Sequence, residues 1–130
     1  GIGMGIGYNV SDTYFRGLID EVRIWNIART PAEIQSTRLT SLVGNEAGLV
    51  GYYNFNQTAG TTLPDLATGD GVQNGTLVNF GASPWVSGVT LLNNNALDFD
   101  GSDVVTMIDH PNLDFTSNYT IEAWINVRSY

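Results

Sequence analysis

Short runs of alternating apolar and polar residues recur through most of this chain. The clearest are LVGYYNF at 49–55, ALDFDGSDVVTMI at 96–108 and YTIEAWINV at 119–127. Successive side chains of a β-strand point to opposite faces of a sheet, so a period of two predicts strands with one buried face. Turn-forming Gly, Asn, Asp, Thr and Ser separate the runs. The pattern predicts an all-β fold.

One short helix is expected among the strands. Thr30 and Glu33 have the spacing of a capping box, in which the two side chains bind backbone N–H groups at the start of a helix. Pro31 stands at the first helical position, where its missing N–H costs nothing. These residues predict a helix near 31–38.

The order of the elements indicates a junction between two modules. The segment FRGLIDEVRIWNIARTPAEI is a strand, a turn and a helix that read as the end of a β module, and a new series of strands begins at Leu49. The polar stretch between them carries turn formers. We therefore assign 1–43 to the C-terminal part of one module, 44–48 to a linker and 49–130 to the N-terminal part of a following module.

Composition narrows the possible partners. The chain has thirteen acidic residues against five arginines and no lysine, which gives a formal net charge of -8. Such a surface repels nucleic acid and anionic lipid, so neither is an expected partner. The absence of cysteine excludes disulfides, thiol nucleophiles and thiolate metal sites. No run approaches the length of a membrane span, and no membrane insertion is expected.

Asp20 is the first candidate site residue. Strand alternation over LIDEVRIW places Asp20 on the same face as Val22 and Ile24, which is expected to be the core face. A charge that points inward is costly unless it is paired, hydrogen-bonded or bound to a cation. Asp20 is therefore expected to have such a partner.

A second candidate lies in the long loop NQTAGTTLPDLATGDGVQNG. Loops of this length in a compact domain are usually functional or pinned by a contact. Asp65, Asp70 and Asn74 supply the carboxylate and amide oxygens that Ca²⁺ prefers, although their spacing does not match an EF-hand. They form a candidate calcium site, with turn formation as the alternative role of each residue.

Five segments together resemble the laminin-G-like modules of the concanavalin A-like lectin/glucanase superfamily, of the bacterial tandem-repeat type. These segments are FRGLIDEVRIWNIARTPAEI, GLVGYYNFN, DLATGDGVQNGTL, ALDFDGSD and YTIEAWINV. The resemblance implies an antiparallel jelly-roll β-sandwich. It also implies a structural Ca²⁺ held by Asp20 and the region of Gly101.

The chain departs from that family in lacking the strands expected in the middle third of a module. Sheet edges left open in this way promote association, so neighbouring modules or chains are expected to complete the sandwich, unless these residues belong to a longer protein.

Catalysis is not expected. Glycoside hydrolysis needs two carboxylates that face each other across a cleft, and no E-x-D-x-x-E string places acids on one strand face. Asp20 and Glu21 are adjacent and point to opposite faces, while Glu122 stands alone on its strand. The single His110 has no recognisable nucleophile motif beside it.

The leading hypothesis is a non-catalytic adhesion or carbohydrate-binding module of a large secreted or cell-surface repeat protein. Trp124 points to the polar face of its strand, where it could line a ligand-binding surface or meet another layer of the protein. Glycans or surface proteins are the expected partners. Two alternatives are an accessory part of a polysaccharide-degrading enzyme and a structural subunit of a stalk or filament.

Overall fold

The structure is a computed structural model, and it describes residues 3–8, 13–69, 71–88 and 94–129. Nine strands and one α-helix occur in these ranges, together with a short 3₁₀ turn. The strands are β1 Gly5–Ile6, β2 Arg16–Trp25, β3 Leu49–Tyr53, β4 Thr62–Leu63, β5 Gly75–Val78, β6 Trp85–Ser87, β7 Asn95–Asp100, β8 Val104–Met107 and β9 Thr120–Val127; the helix α1 is Pro31–Thr37, and the 3₁₀ turn is Pro111–Leu113.

β2 is the central strand of a five-stranded antiparallel sheet. Along one side it pairs with β9 over nearly its whole length. Along the other side its first half pairs with β7 and its second half with β3, and β6 continues the sheet beyond β7. The ten residues of β2 are thus enclosed on both edges, which explains why seven of them in succession are buried.

A β-bulge in β2 reverses the side-chain alternation that the sequence predicts. Asp20 pairs with Trp124 and Arg23 with Glu122, so two residues of β2 lie opposite the single residue between these partners. Glu21 adopts a left-handed backbone conformation, with φ of 52°, at this point. The prediction that Asp20 lies on the core face with Val22 and Ile24 is therefore wrong, because the extra residue turns Asp20 to the opposite, outer face.

The second sheet has four antiparallel strands in the order β1-β8-β5-β4. The inner faces of the two sheets enclose a core of buried apolar side chains. This core contains Ile6, Ile19, Val22, Ile24, Val50, Tyr53, Phe55, Leu63, Leu77, Leu97, Phe99, Val105 and Met107. Two packed antiparallel sheets with one short helix confirm the predicted β-sandwich of the concanavalin A-like type.

Helix α1 lies over the outer face of the five-stranded sheet and is held there by arginines of neighbouring segments. The Arg23 guanidinium donates to the carbonyl oxygens of Thr37, at 2.8 Å, and Thr40, at 2.6 Å. Thr30 and Glu33 form both hydrogen bonds of the predicted capping box. The helix prediction is therefore confirmed, with its last residue one position earlier than expected.

Segments on both sides of 44–48 contribute strands to the same sheets. β2 from the upstream part pairs with β3, β7 and β9 from the downstream part, and β1 pairs with β8. In this structure the two parts therefore form one sandwich. Their assignment to two consecutive modules stays a prediction. No helix within the described ranges is long and apolar enough to cross a membrane.

Candidate functional site

A groove lies on the outer face of the five-stranded sheet, where β2, β7 and β9 run side by side. Cross-strand pairing puts Asp20 beside Trp124 and Leu18 beside Asn126, so these four side chains share one face. We call this cavity of about 220 Å³ the outer groove. It is lined by Leu18, Asp20, Gly88, Ala96, Trp124, Ile125 and Asn126.

Asp20 forms one wall of the outer groove and is only 2% exposed. Its carboxylate accepts a hydrogen bond of 3.3 Å from the side-chain amide of Asn94. The side-chain oxygen of Asn94 is also buried, and no hydrogen-bond donor reaches it within the described part of the chain. Two oxygen acceptors therefore lie close together beside the groove.

Gly88 is the residue that gives the Asp20 carboxylate its space. A β-carbon at position 88 would lie 2.6 Å from a carboxylate oxygen of Asp20 and 2.5 Å from the Asn95 carbonyl oxygen. Neither the rigid β7 backbone nor the buried carboxylate could accommodate that contact. Gly88, directly after β6, therefore lets the chain pass close to the Asp20 carboxylate of β2.

Trp124 is held in place from the side of helix α1. Its indole N–H donates to the Arg38 carbonyl oxygen at 2.8 Å, and the Arg38 guanidinium lies 5.9 Å from the ring centroid. On the same face of β9, the Glu122 carboxylate forms a salt bridge with Arg29. These contacts fix the ring, so it is a rigid part of the groove wall.

A second, smaller cavity of about 180 Å³ lies on the other side of the Trp124 ring. The buried pair Glu21 and Arg23 borders it, joined by a hydrogen bond of 2.8 Å. The Tyr52 hydroxyl donates to Glu21 at 3.0 Å. The polar side chains of this cavity are hydrogen-bonded to one another and to the segment after α1. Fewer of them therefore point toward a ligand than in the outer groove.

The structure does not bring Asp20 and Gly101 together. Gly101 lies in the turn after β7, next to the pair formed by Arg16 and Asp100, whereas Asp20 is four residues further along β2. The turn is closed by its own groups: the Asp100 carboxylate accepts from the Ser102 N–H at 2.9 Å and from the Ser102 hydroxyl at 2.8 Å. These hydrogen bonds lower the pKa of Asp100.

In the second predicted calcium site the oxygen atoms already have hydrogen-bond donors. The buried Asp65 carboxylate accepts from the backbone N–H groups of Tyr52, Ala67 and Gln73 at 2.9 to 3.2 Å. The Asn74 side-chain oxygen accepts from the Asp65 N–H at 3.0 Å. Asp70 lies outside the described residues. Asp65 thus pins the long loop to β3 by hydrogen bonds.

Sequence reasoning identified Asp20 and Trp124 but did not find their neighbours. Asn126 carried a usable signal, because it follows Trp124 at the strand period of two. Asn94 and Gly88 carried none, since both reach the groove through pairing with residues distant in the sequence.

Comparison with known proteins gives one match, which covers a segment near the start of the chain. Residues 3–35 match a laminin-G-type family model described as the concanavalin A-like lectin/glucanases superfamily. The matched segment contains β1, β2 and most of α1, about a quarter of the chain. Searches of the curated proteins and of the solved structures found no match. The predicted resemblance is thereby confirmed over this segment, and it fits a binding module.

Proposed function

We propose that this chain is a non-catalytic carbohydrate-binding module of a secreted or cell-surface protein, and that the outer groove receives the sugar. The observation that carries the proposal is the position of a fixed indole ring, Trp124, directly across from a buried carboxylate, Asp20. An aromatic face and a few oriented polar groups are a common composition for a ligand site. A sugar offers apolar C–H faces to the ring and hydroxyl donors to the carboxylate.

The remaining lining residues support the same ligand class. Asn126 adds an amide that both donates and accepts, and Leu18 and Ala96 give the floor an apolar surface. The groove contains one carboxylate and no basic side chain, which favours a neutral, hydroxyl-rich ligand over an anionic one.

The arrangement of the other acids supports binding rather than hydrolysis. Glu122 is engaged by Arg29 and Glu21 by Arg23, so neither faces Asp20 across the groove as a second catalytic acid would. We therefore place the module among binding proteins. Its neighbours would hold it at a surface or on an extracellular glycan.

Glycan-array binding of the purified chain, followed by titration with a retained glycan, tests the proposal. We expect Asn126→Ala and Trp124→Ala to weaken binding by at least about tenfold, since each removes a direct contact. Asn126→Ala is the more informative variant, because Trp124 also anchors the segment after α1.

The matched control is Trp85→Ala, which removes a tryptophan from a different cavity. Circular dichroism checks that each variant is folded. Undiminished retention by folded Asn126→Ala and Trp124→Ala would refute the outer groove as the binding site. Loss of binding in Trp85→Ala alone would place the site at that other cavity.

We also propose that Asp20 is where a structural Ca²⁺ would bind. The Asp20 carboxylate and the buried side-chain amide oxygen of Asn94 are hard oxygen ligands of the kind Ca²⁺ selects. The described residues contain no cluster of three or more acidic, histidine or cysteine side chains suited to a metal, so backbone carbonyls and water would complete the coordination.

Thermal melting with and without a chelator measures this effect. A bound ion stabilises the folded state, so we expect calcium to raise the melting temperature of the wild type. The melting temperature of Asp20→Asn should be the same with and without calcium. Equal melting temperatures of the wild type in calcium and in chelator would rule out the ion.

A further inference from the structure

The carbonyl groups at the end of helix α1 accept hydrogen bonds from side chains of the five-stranded sheet. The last carbonyls of a helix have no partner that continues the helical ladder, so they need other donors. The Arg23 guanidinium of β2 donates to the carbonyl oxygens of Thr37 and Thr40. The carbonyl oxygen of Arg38, between them in sequence, accepts from the Trp124 indole of β9. Two strands therefore hold the same short piece of backbone, residues 37–40, which we call the α1 end segment.

Arg23 is the fixed member of this arrangement. It is only 1% exposed, and its guanidinium also donates to the Glu21 carboxylate at 2.8 Å. A guanidinium is planar and presents its N–H donors in a rigid fork, so its position decides where two acceptors can lie. The position of the α1 end segment therefore follows from that of Arg23.

Packing alone does not fix the Trp124 ring. The outer groove of about 220 Å³ lies on one side of it and the smaller cavity of about 180 Å³ on the other. Side chains in a protein interior are normally held by close contacts on all sides, which the two cavities interrupt here. The indole N–H bond of 2.8 Å to the Arg38 carbonyl is thus the directional contact that sets how the ring faces the groove.

We propose that Arg23 is a positioning residue for ligand binding, because it holds the carbonyl group that orients Trp124 toward the outer groove. This inference rests on the proposed function, since it concerns the same site. Arg23 borders the smaller cavity and is not among the lining residues of the outer groove, so its effect on a ligand passes through the ring. Docking of the α1 end segment and ligand binding are then linked, and each strengthens the other.

The first test follows the Trp124 indole N–H by NMR in the absence of any glycan. Arg23→Lys keeps a positive charge beside Glu21 but lacks the fork that reaches two carbonyl groups. We expect this variant to shift the Trp124 indole signal and to speed its exchange with solvent by about tenfold, because the ring is released locally.

Trp85 is the internal reference in the same spectrum. Its indole N–H donates to the Gly60 carbonyl oxygen at 3.3 Å and borders a different cavity. A general loss of stability would speed the exchange of both indoles, whereas loss of positioning affects Trp124 alone.

Two control variants isolate the contact. Arg38→Ala removes the guanidinium beside the ring but keeps the carbonyl group, so the Trp124 indole should exchange as in the wild type. Arg128→Lys makes the matched substitution in the partly exposed ion pair with Asp98, and it should leave the Trp124 indole unchanged.

The second test is titration with a glycan that the wild type retains. Arg23→Lys should bind it about two- to tenfold more weakly, the range expected for one net hydrogen bond, and Arg128→Lys should bind as the wild type does. A further measurement needs no variant. In the wild type, the glycan should slow hydrogen exchange of the Arg38 and Thr40 amides, which bond within the α1 end and do not line the outer groove.

Failure of the inference and failure of the proposed function give different results. If the outer groove is not the binding site, folded Trp124→Ala retains the glycan undiminished, whatever the indole of the wild type shows. Equal exchange of the Trp124 indole in Arg23→Lys and in the wild type would overturn the inference, with or without a glycan. Faster exchange of that indole with unchanged glycan affinity would also overturn it, as would unchanged protection of Arg38 and Thr40 in the glycan-bound wild type.

Discussion

The buried pair of Glu21 and Arg23 connects β2 to Tyr52 and to the segment after α1. The two side chains form a buried ion pair at 2.8 Å, with side-chain exposures of 0% and 2%. Arg23 also donates to the carbonyl oxygens of Thr37 and Thr40, and Glu21 accepts from the Tyr52 hydroxyl. The β-bulge at Glu21 brings these groups together. Through its two hydrogen bonds to backbone carbonyl oxygens, Arg23 holds the end of α1 and the residues after it against the sheet.

Removing one partner of this pair should destabilise the fold strongly. Arg23→Met leaves the Glu21 carboxylate buried without its cation, which costs about 3–5 kcal/mol of unfolding free energy. Urea denaturation measures the loss. Arg128→Met is the control, because its ion pair with Asp98 is partly exposed and contributes about 0–1 kcal/mol. Equal effects of the two substitutions would contradict the structural role given to Arg23.

Ionisation of the buried Tyr52 hydroxyl is expected to lower the stability of the fold at alkaline pH. Burial, followed by the nearby Glu21 carboxylate, raises the pKa of Tyr52 to about 12, above the value of about 10 for an unfolded chain. Because the folded state holds the proton more tightly, this contribution is complete below about pH 10 and is lost as the pH rises toward 12. Tyr52→Phe has no proton to lose there, so its free energy of unfolding should fall less steeply than that of the wild type over this range.

Burial also raises the pKa of Tyr53, which therefore contributes to the alkaline loss in both proteins. The comparison between wild type and Tyr52→Phe removes that shared part. Parallel stability curves between pH 10 and 12 would show that Tyr52 ionises as freely in the folded state as in the unfolded one.

At the scale of single elements, helix α1 depends on its capping residues and on contacts with neighbouring segments. The helix has only seven residues and none of them is buried, so packing of an apolar face stabilises it little. The Thr30 side chain accepts from the Glu33 N–H, and Glu33 in turn accepts from the Thr30 N–H at 2.7 Å. These bonds satisfy two backbone groups that would otherwise lack partners.

Thr30→Ala should therefore cost about 1 kcal/mol of unfolding free energy. Gln35→Ala, an exposed change in the middle of the same helix, is the control and should alter stability by less than about 0.5 kcal/mol. Chemical denaturation of both variants makes the measurement. A Thr30→Ala value within the range of the control would mean that the cap does not hold the helix in solution.

Elements whose signal is local were predictable from the sequence. The capping box fixed α1 because all its partners lie within four residues, and the period of two marked β2, β3 and β9. The bulge was not predictable, because glutamate rarely adopts a positive φ and LIDEVRIW reads as an uninterrupted strand. One unpredicted residue therefore moved Asp20 from the expected core face to the outer groove.

At the scale of the whole molecule, β2 joins the two parts of the chain. The proposed binding site depends on its position, because the outer groove needs Asp20 of β2 beside Trp124 of β9. The sequence pattern predicts a module boundary at 44–48 but could not show that strands on its two sides pair, because a strand pattern does not reveal which distant strands become neighbours. Whether the parent protein repeats this arrangement stays a prediction.

Hydrogen exchange of backbone amides, followed by NMR, tests the position of β2 most directly. A strand enclosed on both edges exchanges only when the fold opens, so we predict that amides of Arg16–Trp25 are among the most protected and share the exchange free energy of β3 and β7. Rapid exchange throughout Arg16–Trp25 beside a protected β7 would contradict the account, because it would show that the upstream part does not pair with the downstream one.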